Sequence, residues 1–102
     1  DLNWWHWENN TKKENLKEAT DYKEEILKLK RHLKGEILDV AFIPVDPRQK
    51  NAMTFAVKYF SDNIKVKHIF PMHFWEDLSY INALKNLNIT NSSIYYPKKE
   101  NQ

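Results

Sequence analysis

The spacing of apolar side chains predicts two amphipathic helices in the first two thirds of the chain. Apolar residues recur at intervals of three and four between residues 16 and 33, a spacing typical of a helix with one buried stripe. That stripe consists of Leu16, Ala19, Tyr22, Ile26, Leu29 and Leu33. A second stripe over residues 49–62 follows the same rule and predicts a second helix. Its members are Ala52, Phe55, Ala56, Tyr59 and Phe60.

Both ends of the first helix carry local signals. Thr11 and Glu14 form the sequence of a capping box, in which each side chain accepts a hydrogen bond from the other's backbone amide. Gly35 is a plausible stop, because glycine adopts the left-handed conformation that ends many helices. We therefore expect a long helix between these residues, with its lysines and glutamates on a solvated face.

Two short apolar runs predict strands. Residues 40–43 are continuously apolar, the pattern of a strand that is covered on both faces. Residues 65–70 form a second, central strand, and we expect Pro71 to end it because proline has no N–H for the sheet. A third helix is predicted from about Trp75 to Asn86, with Leu78, Ile81, Leu84 and Leu87 inward.

The resulting order is helix, strand, helix, strand, helix, which favours an α/β layer with parallel strands. Residues 1–89 form the predicted domain, and residues 90–102 form a polar tail. Within that tail, residues 94–96 can add an edge strand.

Composition and charge exclude several function classes. The 102 residues carry a formal net charge of +2 with both signs mixed, which gives no clustered basic face for nucleic acid. No apolar run approaches membrane-spanning length, so we expect no membrane partner. The absence of cysteine removes thiolate metal sites and suits a reducing compartment, so we expect a cytoplasmic protein.

The candidate chemistry lies where strands end. His73 directly follows the central strand, at the edge where open α/β sheets bind ligands. Its imidazole can be a metal ligand, a general base or a packed side chain. Asp1 offers a carboxylate, and carboxylate plus imidazole suits zinc, iron or manganese. Asp46 and Arg48 follow the first strand; they can touch a substrate, although such a pair more often caps the next helix and orders the loop.

The first eight residues are unusually aromatic. Trp4, Trp5 and Trp7 surround His6 and cannot all be buried by one local face. Either this segment lies in a cleft or forms an exposed aromatic patch, or it plugs one end of a small core.

Three blocks of sequence resemble the C-terminal half of bacterial metallo-β-lactamase-fold hydrolases. They are DLNWWHW at residues 1–7, DVAFIPVDPRQ at residues 39–49 and IFPMHFW at residues 69–75. The resemblance covers nearly the whole chain up to about Leu87, and its blocks occur in order at sensible distances.

The resemblance implies a fold, a site and a reaction. The fold is the second half of an αββα four-layer sandwich. Asp1 matches the aspartate that bridges two metal ions, and His73 matches a later histidine ligand. Two divalent ions, zinc first with iron and manganese as alternatives, would activate water to hydrolyse a small-molecule substrate. Trp4, Trp5, His6 and Asp46 would line the substrate cleft.

The family's HxHxDH block is missing from these residues and would lie upstream of Asp1 or in another chain. We therefore expect this chain to be inactive alone and to associate with a complementary N-terminal half or with a second copy through its apolar sheet face. The alternative is a non-catalytic interaction module that binds a protein through the aromatic N-terminal segment and the exposed sheet face.

Overall fold

A computed structural model describes residues 3–72, 79–87, 89 and 92–96 of the chain. Within these residues there are three α-helices, one 3₁₀ segment and three strands. In chain order they are α1 (Lys12–Leu33), β1 (Leu38–Pro44), the 3₁₀ segment (Pro47–Thr54), α2 (Phe55–Asn63), β2 (Val66–Met72), α3 (Tyr80–Lys85) and β3 (Ser93–Ile94). The predicted α/β class and the alternation of helix and strand are confirmed.

Helix α1 begins and ends where the local signals place it. The Glu14 amide donates to Thr11 Oγ1 at 3.1 Å, and the Thr11 amide donates to Glu14 Oε1 at 2.8 Å, which completes the capping box. Lys34 and Gly35 both have positive φ, so the chain leaves the helix through left-handed backbone. None of the helices in the described ranges is long and apolar enough to cross a membrane.

The three strands form one parallel sheet in the order β1-β2-β3, so β2 is central, as predicted. The register of β1 on β2 runs from Leu38↔Val66 to Pro44↔Met72. Strand β3 pairs with β2 at His68↔Ser93 and Ile69↔Ile94. It overlaps the start of the 94–96 segment that the sequence offers as an edge strand.

One face of the sheet and the inner faces of the helices make the core. The core residues are Tyr22, Ile26, Ile43, Val45, Ala56, Val57, Phe60, Ile64, Val66, Ile69, Tyr80 and Leu84. The predicted stripe of α1 joins this core from Tyr22 onward, whereas Leu16 is 67% exposed. Its first turns therefore lie outside the packed region.

The other face of the sheet differs from the pattern predicted for β1. Val40, Phe42 and Tyr95 lie on it as exposed large side chains, and Phe42 is 65% exposed. A continuous apolar run indicates two apolar faces, but the described residues cover only one of them. Parallel sheets are nearly always covered on both faces, and in the described part of the chain only one face of this sheet is covered.

The second helix starts later than the stripe predicts. Residues from Pro47 to Thr54 form a 3₁₀ segment, and α-helix begins at Phe55. The cause is local: Lys50 has φ 56° and ψ −126°, which interrupts regular helix. The apolar spacing survives because the whole stripe, from Ala52 to Phe60, lies after this kink.

Strand β2 continues through Pro71 to Met72, so the prediction that Pro71 ends it was wrong. Pairing with β3 involves His68 and Ile69, and Pro71 lies beyond it. A strand tolerates proline where no neighbour needs its N–H. For the predicted third helix, α3 accounts for residues 80–85, while residues 73–78 lie outside the described residues.

Candidate functional site

A backbone hydrogen bond connects the carboxyl ends of β1 and β2. The Val45 amide donates to the Met72 carbonyl at 2.8 Å, so the loop after β1 lies against the end of β2. His73 follows Met72 in the sequence. Both His73 and Asp1 lie outside the described residues, so their convergence on a metal ion stays a prediction.

Asp46 organises the loop after β1. Its side chain is fully buried and caps the 3₁₀ segment by accepting from the Arg48 amide at 3.0 Å. The same carboxylate accepts from Arg48 Nε at 3.0 Å and from Nη2 at 2.6 Å. These hydrogen bonds raise the pKa of the Arg48 guanidinium above its usual value. The geometry matches the loop-ordering role, and direct contact of Asp46 with a substrate stays a prediction.

Trp4 points toward the helices. Its ring centroid lies 5.1 Å from that of Phe55 and 6.1 Å from that of Tyr22, and Lys23 Nζ lies 5.0 Å from it. Trp4 Nε1 is buried and has no hydrogen-bond partner within the described part of the chain. Trp4 thus plugs one end of the core, one of the roles that the sequence allows for this segment.

The neighbouring aromatic residues lie elsewhere. Trp5 and Trp7 are half-buried and stack on each other, with centroids 5.7 Å apart and planes at 9°. The Arg48 guanidinium lies 5.8 Å from the Trp7 ring. His6 packs edge-on against Phe55 at 5.5 Å. The aromatic segment is therefore divided between the core and a partly exposed indole pair beside the loop after β1.

Three consecutive residues, Arg48, Gln49 and Lys50, hold the N-terminal segment, and we call them the clamp. Arg48 contacts Trp7 as described above, and Lys50 Nζ pairs with Glu8 at 2.9 Å. The central member, Gln49, is 4% exposed and makes the deepest contacts. Residues 3–8 are consequently held against the 3₁₀ segment that follows β1.

Gln49 bonds across the chain to the start of the sequence. Its Oε1 accepts from Asn3 Nδ2 at 3.0 Å, and its Nε2 donates to the carbonyls of Trp4 at 2.8 Å and His6 at 3.4 Å. Sequence reasoning missed Gln49 and Asn3. Neutral amides carry neither charge nor hydrophobic period, so the available signal was a glutamine placed directly after the Pro-Arg pair in the loop that follows the first strand.

The open sheet face carries a column of stacked rings, formed by Phe42, Phe70 and Tyr95. Phe42 and Phe70 are 5.3 Å apart with planes at 27°, and Phe70 and Tyr95 are 4.7 Å apart with planes at 6°. The Tyr95 hydroxyl and His68 Nδ1 are 3.0 Å apart and form a hydrogen bond. This aromatic column crosses all three strands.

The cavities lined by described residues include two that lie close to the sheet and to Trp4, and neither is lined by the clamp. One, of about 530 Å³, includes Lys30, Ile37, Lys65 and Lys67, and so lies at the amino end of the strands. The other, of about 430 Å³, includes Trp4, Lys23, Phe55, Lys58 and Tyr59 on the helical side. The first cavity lies at the opposite end of the sheet from the predicted metal site. Its volume alone does not make it a functional site.

Within the described residues, no three His, Cys, Asp or Glu side chains are grouped so that they could hold a metal ion. Comparison with models of known protein families, with curated proteins and with solved structures finds no match for this chain. A functional proposal for this chain therefore starts from its residues and their geometry.

Proposed function

We propose that this chain is the C-terminal part of a metal-dependent hydrolase of the metallo-β-lactamase superfamily, and that it is inactive by itself. Asp1 and His73 are its contribution to a dinuclear site, with zinc as the first choice of metal and iron or manganese as alternatives. When bound, the ions lower the pKa of a water that attacks a small-molecule ester, amide, thioester or phosphodiester.

The observation that carries this proposal is the meeting of two chain segments at one edge of the sheet. The side-chain amide of Asn3, two residues after Asp1, donates a hydrogen bond to Gln49 Oε1 at 3.0 Å. The carbonyl of Met72, one residue before His73, accepts a hydrogen bond from the Val45 amide at 2.8 Å. Val45 directly follows β1, and Gln49 lies four residues further on, in the 3₁₀ segment. The sequence neighbours of both candidate ligands thus form hydrogen bonds to residues between 45 and 49, which follow β1 at the carboxyl edge where such sheets bind ligands.

The donor set suits a metal but does not complete a site. Catalytic zinc usually has three protein ligands and one open position, so two groups from this chain need further ligands from an upstream block or another chain. Trp5 and Trp7, with Arg48 beside them, would form one wall of the substrate cleft. We also propose that the protein is cytoplasmic, because a chain without cysteine suits a reducing compartment.

Metal content of the natural protein that contains these residues tests the proposal. We expect two metal ions per complete site, and loss of metal in His73→Ala. The matched control is His32→Ala, an exposed histidine in the last turn of α1 whose loss should leave metal content unchanged. A wild-type protein without metal, or a His73→Ala variant with full metal content, would disprove the hydrolase.

The second candidate is a non-catalytic interaction module, and the open sheet face favours it. The aromatic column and Val40 leave exposed apolar side chains on one face of the sheet, which a partner could cover. In the hydrolase the same face takes a complementary N-terminal half or a second copy, so binding through this face does not separate the two functions. A His73→Ala variant that keeps partner binding, in a protein that never contains metal, supports the module.

A further inference from the structure

We propose that the cavity between α1 and α2, beside Trp4, binds a small aromatic carboxylate. Its volume is about 430 Å³, within the range of about 300–1,000 Å³ that small-molecule sites occupy. The residues that line it all belong to the described part of the chain. The inference does not depend on the proposed hydrolase, because it involves neither Asp1, His73 nor a metal ion.

The apolar wall of this cavity is aromatic and already assembled. The Trp4 ring centroid lies 5.1 Å from that of Phe55 and 6.2 Å, edge-on, from that of Tyr59. Tyr59 in turn packs edge-on against the buried Tyr22 at 6.2 Å. Because these rings hold one another in place, a flat ligand can contact the half-buried rings of Phe55 and Tyr59 without first ordering them.

The charged groups around the cavity favour an anion. Lys23 Nζ lies 5.0 Å from the Trp4 ring centroid and 5.7 Å from that of Tyr59. Lys23 is exposed, and no carboxylate among the described residues forms an ion pair with it. The second lysine of the lining, Lys58, is bonded to both carboxylate oxygens of Asp62, at 2.8 and 2.9 Å. The lining therefore carries one positive charge in excess, at Lys23.

That excess charge decides between two kinds of aromatic-lined site. Aromatic rings also attract cationic ligands, but here the lysine ammonium already lies over the faces of Trp4 and Tyr59 and would repel a second cation. A ligand with a planar ring and a carboxylate satisfies both features, with its ring on the aromatic wall and its carboxylate beside Lys23. An exposed lysine alone gives an anion little affinity, so the ring contact is needed as well.

The test titrates indole-3-acetate into the natural protein that contains these residues and follows saturation transfer to the probe by NMR. An ordinary ligand efficiency for a molecule of this size gives a Kd of about 1 mM. Tryptamine has the same ring system with an ammonium in place of the carboxylate. It should bind at least about tenfold more weakly, because its charge is repelled by Lys23.

Two variants locate the probe. Lys23→Gln should weaken indole-3-acetate about fivefold, and as a change at an exposed position it should leave the fold intact. Tyr59→Leu keeps an apolar side chain but removes the ring, and it should also weaken binding. The matched control is Lys28→Gln, which removes the same charge from an exposed lysine of α1 that does not line the cavity. Its affinity for indole-3-acetate should equal that of the wild type.

Four results would overturn the inference. The wild type could show no saturation transfer at about 10 mM probe, ten times the expected Kd. Tryptamine could bind as tightly as indole-3-acetate, which would remove the role of charge. Lys28→Gln could weaken binding as much as Lys23→Gln, which would reduce the effect to net charge. Phe42→Ala could abolish binding that Tyr59→Leu leaves unchanged, which would place the probe on the open sheet face.

Discussion

At the scale of single residues, Lys50 stands out by its backbone. Its φ of 56° and ψ of −126° belong to a region that glycine adopts readily and that costs other residues about 1–3 kcal/mol. This conformation kinks the 3₁₀ segment at Lys50, between Gln49 and the residues that lead into α2. The strained residue is therefore itself part of the clamp that contacts the N-terminal segment.

Replacing Lys50 by glycine should raise the free energy of unfolding by about 1 kcal/mol, because the strain relieved exceeds the added chain entropy and the loss of an exposed ion pair with Glu8. The control is Lys28→Gly, in the interior of α1, which also removes one exposed ion pair. It should lower stability by about 1 kcal/mol. Urea denaturation measures both, and equal destabilisation by the two changes would contradict the strain.

Tyr22 links α1 to α2 from a buried position. Its hydroxyl donates to the Ala56 carbonyl, and burial raises its pKa far above the ordinary 10.0. Burial also raises the pKa of Tyr80, to about 12. In each case the folded state keeps the proton that the unfolded chain releases above pH 10, so this contribution to stability is complete below pH 10 and is lost as the pH rises further.

Tyr22→Phe should cost about 1 kcal/mol at neutral pH, where the buried hydrogen bond is lost. Above pH 10 its stability should fall less steeply than that of the wild type, because one of the two buried phenols no longer titrates. Urea midpoints measured across that range compare the slopes. Parallel curves for the two proteins would show that Tyr22 does not carry the alkaline sensitivity.

At the scale of elements, β2 is the centre of the architecture. It pairs with β1 over its whole length and with β3 over two residues, and its carboxyl end meets the loop after β1. Short pairing with β3 is what allows Pro71 inside the strand. The same end of the sheet receives the N-terminal segment through the clamp, so three distant parts of the sequence converge there.

At the scale of the whole molecule, the described residues cover one face of a three-stranded parallel sheet. Helices α1, α2 and α3 contribute core residues on one side, while the aromatic column faces outward on the other. A parallel sheet with an uncovered apolar face is expected to acquire a partner, because the exposed aromatic area is favourable to bury.

Association of the chain should therefore depend on Phe42. We expect Phe42→Lys to lower the average molar mass of the 102-residue chain, measured by analytical ultracentrifugation at micromolar concentration, toward that of the monomer. Leu16→Lys is the matched control, since Leu16 is 67% exposed and Phe42 is 65% exposed, but Leu16 lies on α1. A monomeric wild type, or an equal effect of both changes, would exclude the open face as the association surface.

The sequence by itself determined the elements that depend on near neighbours. The capping box of α1, the apolar stripes and the Asp46–Arg48 contact join residues two to four positions apart, and such spacing leaves a readable pattern. The start of the second helix was misplaced because the stripe records which residues face the core and not their backbone conformation. That conformation was decided at Lys50.

Only the tertiary structure decided which distant residues meet. Gln49 and Asn3 are 46 positions apart, and the aromatic column depends on the register of three strands. Neither contact has a period or a charge pattern that a single sequence displays, because neutral amides and single aromatic residues occur equally in other settings. The physical reason is that long-range packing selects among local patterns that are each compatible with several folds.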